Sequence, residues 1–430
     1  VATNCSASGA PSTAHLGKFA LVETSEVREL LTPSGLRLLD SLPEYSSKGD
    51  IVRIVAGLRS AGHSSALVAA VLTQAKLRSK AAAKFDDFAV RMLFTEAGLE
   101  QATRLRVAAL HAGRFSRAGI THVADLGCGI GADAMAMAGL GLTVTAVEAD
   151  EVTAALASYN LAIFENVTVV HARAEEFDLA ALAVEGNSNG PHSAARIGIY
   201  LDPARRTSGH SNTERLTRPE DYSPSLKFAF GLAERYPAGV KLGPGFDRGL
   251  IPIDAEAQWV SVDGSVVELG LWFGTVARPG ITRSALVLDD TGTHEMNAPG
   301  DSDDVEAGVL GNFLYEPDGS VIRARLIGDL ARIMGAHMLS ERIAYLTSDI
   351  LVSTPFARGF RILDEFPLDV KTLTREMRTR GIGTLEVKKR GVDIDPAEFR
   401  KKLRLQGPHS ATLILTRIGE RRTALLAERV

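Results

Sequence analysis

The chain has 430 residues, 45% of them hydrophobic, with 48 Lys and Arg against 52 Asp and Glu and a formal net charge of −4. At about 150 residues per domain that length suits two or three domains, and the composition is that of a folded globular protein. Two cysteines, Cys5 and Cys128, exclude a disulfide framework or a cysteine zinc site, and no charge-free run approaches the about 18 apolar residues of a membrane helix.

Residues 1–20 are small and polar, without the basic-then-apolar order of a signal peptide; they read as a disordered lead-in, and a cytoplasmic location is expected. From 21 to 114 apolar residues recur at helical spacing, in 27–39, 51–59, 64–83 and 97–112, which predicts an α-helical N-terminal domain of four to six helices. Thr95 suits a helix N-cap and Glu96 the first turn. Thr95, Gln101 and Thr103 could border a pocket, but a cap and a polar helix face is the preferred reading.

The apolar run 121–126 leads into Asp125-Leu126-Gly127-Cys128-Gly129-Ile130-Gly131 and then an Ala/Met-rich helix over 131–140. Glycines at every second position let a ligand approach the backbone, and the helix N-terminus behind them offers free N–H groups and partial positive charge. A second strand, 143–147, ends at Glu148, a carboxylate about 20 residues past the glycines and suited to both hydroxyls of a ribose. The pattern predicts a nucleoside-containing cofactor at the carboxyl edge of a parallel sheet. It also satisfies the dinucleotide fingerprint G-x-G-x-x-G/A. Asp125 ahead of the first glycine, the long preceding region and a later strand ending in Asp202-Pro203-Ala204-Arg205 argue against a nicotinamide enzyme.

Strands at 167–170, 196–201, 239–242, 257–262, 265–274 and 284–288 alternate with helices at 151–164, 175–184 and 223–235, then follow one another directly across Asp263-Gly264. The alternation predicts a doubly wound sheet, and the directly connected strands an antiparallel hairpin. Residues 291–304, acidic and rich in Gly, Pro, Asn and Asp, read as a linker. Beyond 305 come one helix over 324–334, a strand at 385–389, a helix over 395–405 opened by Asp395 and Pro396, and a hairpin turning over Gly419–Arg422. After residue 370 there are fifteen Lys and Arg against seven Asp and Glu, leaving 33 and 45 in the rest of the chain. A basic end on an acidic body is a plausible footprint for a polyanion, or a solvated surface.

The acidic-x-G-x-G-x-G motif at Asp125 and the D-P-A-R stretch at Asp202 resemble motifs of the class I S-adenosylmethionine-dependent methyltransferases. The terminal segment with Gly381-Ile382-Gly383-Thr384-Leu385-Glu386-Val387-Lys388-Lys389-Arg390-Gly391-Val392-Asp393 resembles the THUMP-like domain of a bacterial group of RNA methyltransferases. The resemblance implies an α/β fold: a helical domain (21–114), a doubly wound Rossmann-like methyltransferase sheet with an antiparallel terminal hairpin (115–290), a linker (291–304) and a small α+β THUMP-like domain (305–430).

It also implies S-adenosyl-L-methionine as cofactor. Asp125 would orient its methionine end, Gly127, Gly129 and Gly131 would admit it to the backbone, and Cys128 would face it. Glu148 would take the ribose. The adenine contact should follow Val170, where this chain has Arg173 in place of an acid, so Glu175 is the candidate. Asp202 and Pro203 would hold an acceptor amine. Ala204 and Arg205 replace the second proline and the aromatic of D-P-P-(aromatic), so base stacking does not carry over. Arg205 and Arg206 suit a phosphate or carboxylate, and Tyr222 and Lys241 should border the same cleft. His210 is a candidate proton acceptor and His171 a structural residue. Neither cysteine suits a thiolate nucleophile, and no spacing suggests a metal. The expectation is direct methyl transfer to nitrogen or oxygen of RNA (tRNA or rRNA). Alternatives are a small-molecule or protein methyltransferase with a structural THUMP-like domain, or a cofactor- and RNA-binding protein without turnover.

Overall fold

The computed structural model describes residues 27–42, 48–185, 196–205 and 222–430. They fall into two compact units, divided between Gly239 and Val240. Cys5, Arg206 and His210 lie outside the described residues, and at Arg205 only the backbone is described.

In the first unit the helices Pro33–Asp40, Lys48–Ser60, Ser65–Phe85, Glu96–Gln101 and Leu105–Arg117 precede any strand. The region expected as one helix over 97–112 is two, because residues 102–104 turn away and Thr103 bonds elsewhere. Then β1 (His122–Leu126), β2 (Thr143–Glu148), β3 (Val167–His171) and β4 (Ile197–Leu201) pair in parallel in the order β4-β1-β2-β3. Helix Ala132–Gly139 packs on β1 and β2, Glu151–Leu161 on β2 and β3, and Leu226–Ala233 on β4. β1 is buried throughout, and Val144, Ala146, Ile199 and Leu201 are at most 1% exposed. Strands covered on both faces read as continuous apolar runs, which is why they were visible in the sequence. A short antiparallel ladder joins β5 (Ala204–Arg205) to β6 (Tyr222–Ser223).

β7 (Ala238–Leu242) runs through the division. In the second unit β8 (Glu256–Val262) pairs antiparallel with β9 (Ser265–Phe273), the terminal hairpin the resemblance implies. β10 (Arg283–Asp289) pairs parallel with β8 and antiparallel with β11 (Gly292–Ala298). β11 corrects the expected linker over 291–304: seven of those residues are strand. An edge strand needs few apolar residues, and here only Met296 and Ala298 are buried. The polar Glu295 is instead bonded to Arg278, Gln258 and Ser284.

A seven-stranded sheet follows, in the order β13-β14-β12-β15-β18-β17-β16: β12 (Phe313–Pro317), β13 (His337–Ser340), β14 (Ile343–Ser348), β15 (Ala357–Pro367), β16 (Ile382–Lys389), β17 (His409–Ile418) and β18 (Arg421–Arg429). Alternation along β17 and β18 sends Leu413, Leu415 and Leu426 into one core with Leu373, Met377 and Phe399. Ile414, Leu425 and Ala427 enter another with Leu314, Tyr345 and Phe360. The helix expected over 324–334 starts at Ile327, because Arg325 adopts φ +60° and separates it from Gly319–Arg323. Among the described residues no helix is long and apolar enough to cross a membrane.

Candidate functional site

β1, β2 and β4 lie in register, with Leu126 opposite both Val147 and Leu201. The next residue of each strand, Gly127, Glu148 and Asp202, therefore reaches the carboxyl edge at one level. All three line a cavity of about 270 Å³, near the lower end of the roughly 300–1,000 Å³ common for small-molecule sites. The register is what converts three distant sequence positions into one wall.

Gly127, Gly129 and Gly131 have φ of +94°, +57° and +90°. A Cβ added at Gly131 would sit 2.9 Å from Leu161 Cδ1, whereas one at Gly129 would meet nothing within 4 Å. Gly131 is thus needed for packing, and Gly129 leaves its space to the cavity. Val147 O accepts from Gly127 N and Cys128 N at 2.8 and 3.0 Å, tying the loop to β2. Glu148 Oε2 accepts from Gly129 N at 3.0 Å and Oε1 from Asp150 N at 2.9 Å. Its orientation is fixed, and a carboxylate has about four acceptor positions, so it can still take hydroxyl donors. Cys128 lines the cavity; burial above all, then the carboxylates of Asp125 and Glu148, pushes its thiol well above the ordinary range. A thiol so held is not a thiolate nucleophile.

A further part of the lining comes from residues 95–103: Thr95, Ala97, Gly98, Gln101, Ala102 and Thr103. Side chains of other helices hold this stretch and the residues leading into it by the backbone. Gln74 Nε2 donates to Phe94 O at 2.7 Å and Gln74 Oε1 accepts from Phe94 N at 2.9 Å. Asn160 brackets Leu93 in the same manner and also donates to Ile130 O of the glycine loop. Lys84 Nζ donates to the carbonyls of Leu99, Glu100 and Ala102 at 2.7–2.8 Å, where a short helix ends with unsatisfied acceptors. Gly98 has no room for a Cβ, which would lie 2.7 Å from Ile130 Cγ2, so this wall docks directly on the glycine loop.

Bare backbone, a fixed carboxylate at the β2 terminus and polar groups at both ends suit a nucleoside carrying an amino-acid arm. Comparison with known proteins agrees. The chain is 32% identical over 355 residues to an uncharacterized S-adenosylmethionine-dependent methyltransferase of Mycobacterium tuberculosis, covering 80% of this chain and 91% of the relative. It belongs to the S-adenosylmethionine-dependent methyltransferases. The same match recurs in a second strain of that organism. A proposed methyltransferase of Porphyromonas gingivalis W83 shares the fold, with a TM-score of 0.68 at 19% identity over 90% of this chain and 99% of that one. Residues 357–429 match the THUMP domain-like family, and residues 23–81 match a domain of unknown function (DUF8688).

Of the residues expected to hold the cofactor, Gly127, Cys128, Gly129, Glu148 and Glu175 line the methyltransferase cavity, as does Asp202. Arg173 lines it too, its Nη2 lying 3.4 Å from Glu175 Oε2. Asp125 and Gly131 do not line it; Asp125 is 1% exposed. Pro203 is buried beside Asp202 without lining the cavity, and Tyr222 is buried while its neighbours Ser223 and Pro224 line it. Lys241 is buried within β7. His171 Nε2 lies 3.1 Å from Ala149 O. Sequence reasoning underrated Thr95, Gln101 and Thr103. Thr95 does cap its helix, accepting from Gly98 N at 2.9 Å, and lines the cavity as well. It missed Asp133 altogether, the lone acid in the helix Ala132–Gly139. Among the described residues no group of His, Cys, Asp and Glu is placed to hold a metal.

The Lys84 contacts give a first prediction. Lys84→Met removes three charge-assisted bonds from the wall and should weaken S-adenosylhomocysteine binding about tenfold, or about 1.4 kcal/mol, by calorimetry. Unchanged affinity would mean the wall holds its shape without that lysine.

Proposed function

We propose that the enzyme methylates RNA directly at a nitrogen or oxygen, with the sheet edge at Gly127, Glu148 and Asp202 as its catalytic face. The observation that carries this reading is the common level of those three residues on one cavity wall. S-adenosylmethionine supplies an electrophilic methyl group on a sulfonium, so neither metal nor covalent intermediate is required. Glu148 binds the ribose hydroxyls and Glu175, with Ala172 and Ala174, borders the adenine. The glycine loop admits the cofactor to the main chain, and residues 95–103 exclude water from it. Asp202 holds the acceptor in line with the methyl group and accepts the proton an amine or hydroxyl releases. Arg205 and Arg206 are assigned to the phosphate or carboxylate of the substrate; Lys241, buried within β7, is not.

The RNA assignment is supported by the THUMP domain-like match and by the basic surplus after residue 370. Arg378, Lys389, Arg400, Lys402, Arg404 and Arg422 are exposed and have no ion-pair partner among the described residues. Unfolded RNA held by about four phosphates should dissociate with salt at a log–log slope near −3. Arg400→Ala, Lys402→Ala and Arg404→Ala together should lower the affinity and flatten that slope. Absence of RNA binding at low salt would move the assignment to a small-molecule or protein acceptor.

A further inference from the structure

We propose that Asp133 is the residue that recognises the ammonium group of the cofactor's amino-acid arm, in place of Asp125. The inference rests on the cofactor's lying in the cavity described above. Asp125 is 1% exposed and not among the residues that face the cavity, whereas Asp133, 6% exposed, does face it. Asp133 opens the helix Ala132–Gly139 directly after the glycine loop, the one acid in a segment of alanine, methionine and glycine.

Its carboxylate is held rigidly. Thr103 Oγ1 donates to Oδ2 at 2.6 Å, and His111 Nδ1 lies 2.8 Å from Oδ1. The same His111 Nδ1 lies 3.0 Å from the hydroxyl of Tyr200. Thr103, His111 and Tyr200 are 4%, 2% and 1% exposed, so the group is buried apart from the cavity that Thr103 and Asp133 line. Tyr200 belongs to β4 and stands opposite Asp125 of β1. The network therefore draws Asp133 towards the β4 side of the cavity, the side of Asp202. Ribose and adenine are assigned to the ends of β2 and β3, on the far side of β1 in the strand order. A ligand extended from Glu148 across the glycine loop presents its amino-acid arm to Thr103 and Asp133. A buried, fixed carboxylate is the complement of an ammonium that must leave water, and it discriminates between ligands with and without that charge. Thr103 and His111 are positioning residues.

The test compares two ligands of the full-length protein by calorimetry. S-adenosylhomocysteine carries the amino-acid arm, and 5′-deoxy-5′-methylthioadenosine has the same nucleoside without it. Asp133→Asn should weaken the former about 30-fold and leave the latter within about threefold. Thr103→Val, which keeps the carboxylate but removes the Thr103 hydrogen bond, should weaken S-adenosylhomocysteine alone by several-fold. Equal losses for both ligands would make Asp133 a structural residue and overturn the proposal, as would unchanged affinity for both. Should Asp133→Asn fail to fold, Thr103→Val decides by the same two ligands. A selective loss in Asp125→Asn with none in Asp133→Asn would return the role to Asp125. Wild-type protein that binds neither ligand would defeat the placement of the cofactor itself, a result separate from these.

Discussion

Asp202→Asn is expected to lower methyl transfer by about 10²- to 10⁴-fold while S-adenosylhomocysteine affinity stays within about threefold. Asp202 follows Leu201 at the end of β4 and lines the cavity with Ser223 and Pro224. Its backbone approaches the glycine loop, since a Cβ added at Gly127 would lie 3.8 Å from Asp202 O. It is therefore close to the cofactor loop but outside the groups assigned to ribose and adenine. An amide keeps its shape and one acceptor oxygen while losing the charge that attracts an amine and takes up its proton. That loss should appear in kcat rather than in ligand affinity. The measurement is transfer of a labelled methyl group from S-adenosylmethionine to total cellular RNA, alongside calorimetry with S-adenosylhomocysteine. Label that persists at the wild-type rate would remove Asp202 from the chemistry. Loss of both rate and affinity would assign it to cofactor binding instead.

The parts of the site legible in the sequence are those encoded locally. Gly127, Gly129 and Gly131 follow a buried strand without a break, and Glu148 ends the next one, so strand periodicity and residue type alone mark both. The wall at 95–103 has only an ambiguous local sign. Thr95 and Thr103 are ordinary helix-flanking residues until Gly98 docks on Ile130 and Thr103 bonds to Asp133. Asp133 itself was masked by a rule that holds for any helix, because an acid in the first turn is favourable whether or not a ligand is near. The same reasoning explains β11. Its polar side chains resemble a linker, and only the pairing with β10 and the Arg278 contacts of Glu295 make it a strand. Fold class followed from patterns of one element at a time; the cavity depended on which elements met.

Gly129→Val and Gly131→Val should separate the two ways in which the glycine loop serves the cofactor. At Gly129, φ of +57° places valine in a region costing about 1–3 kcal/mol for a β-branched side chain. No atom lies within 4 Å of the added Cβ, so the fold can accept it. The branched side chain then occupies the space left beside Glu148, whose Oε2 is bonded to the Gly129 N–H. We expect S-adenosylhomocysteine affinity to fall by at least about a hundredfold, or about 2.7 kcal/mol, with only a modest drop in the thermal midpoint. At Gly131 the added Cβ would press on Leu161 Cδ1, and φ of +90° adds strain. There the larger effect should be on stability, because helix Glu151–Leu161 must shift from β2 and β3 to make room. Calorimetry and thermal unfolding on both variants read the two effects independently. If Gly129→Val binds normally, the ligand does not lie against the bare backbone, and the assignments of Glu148, Asp133 and Asp202 to that cavity fall together.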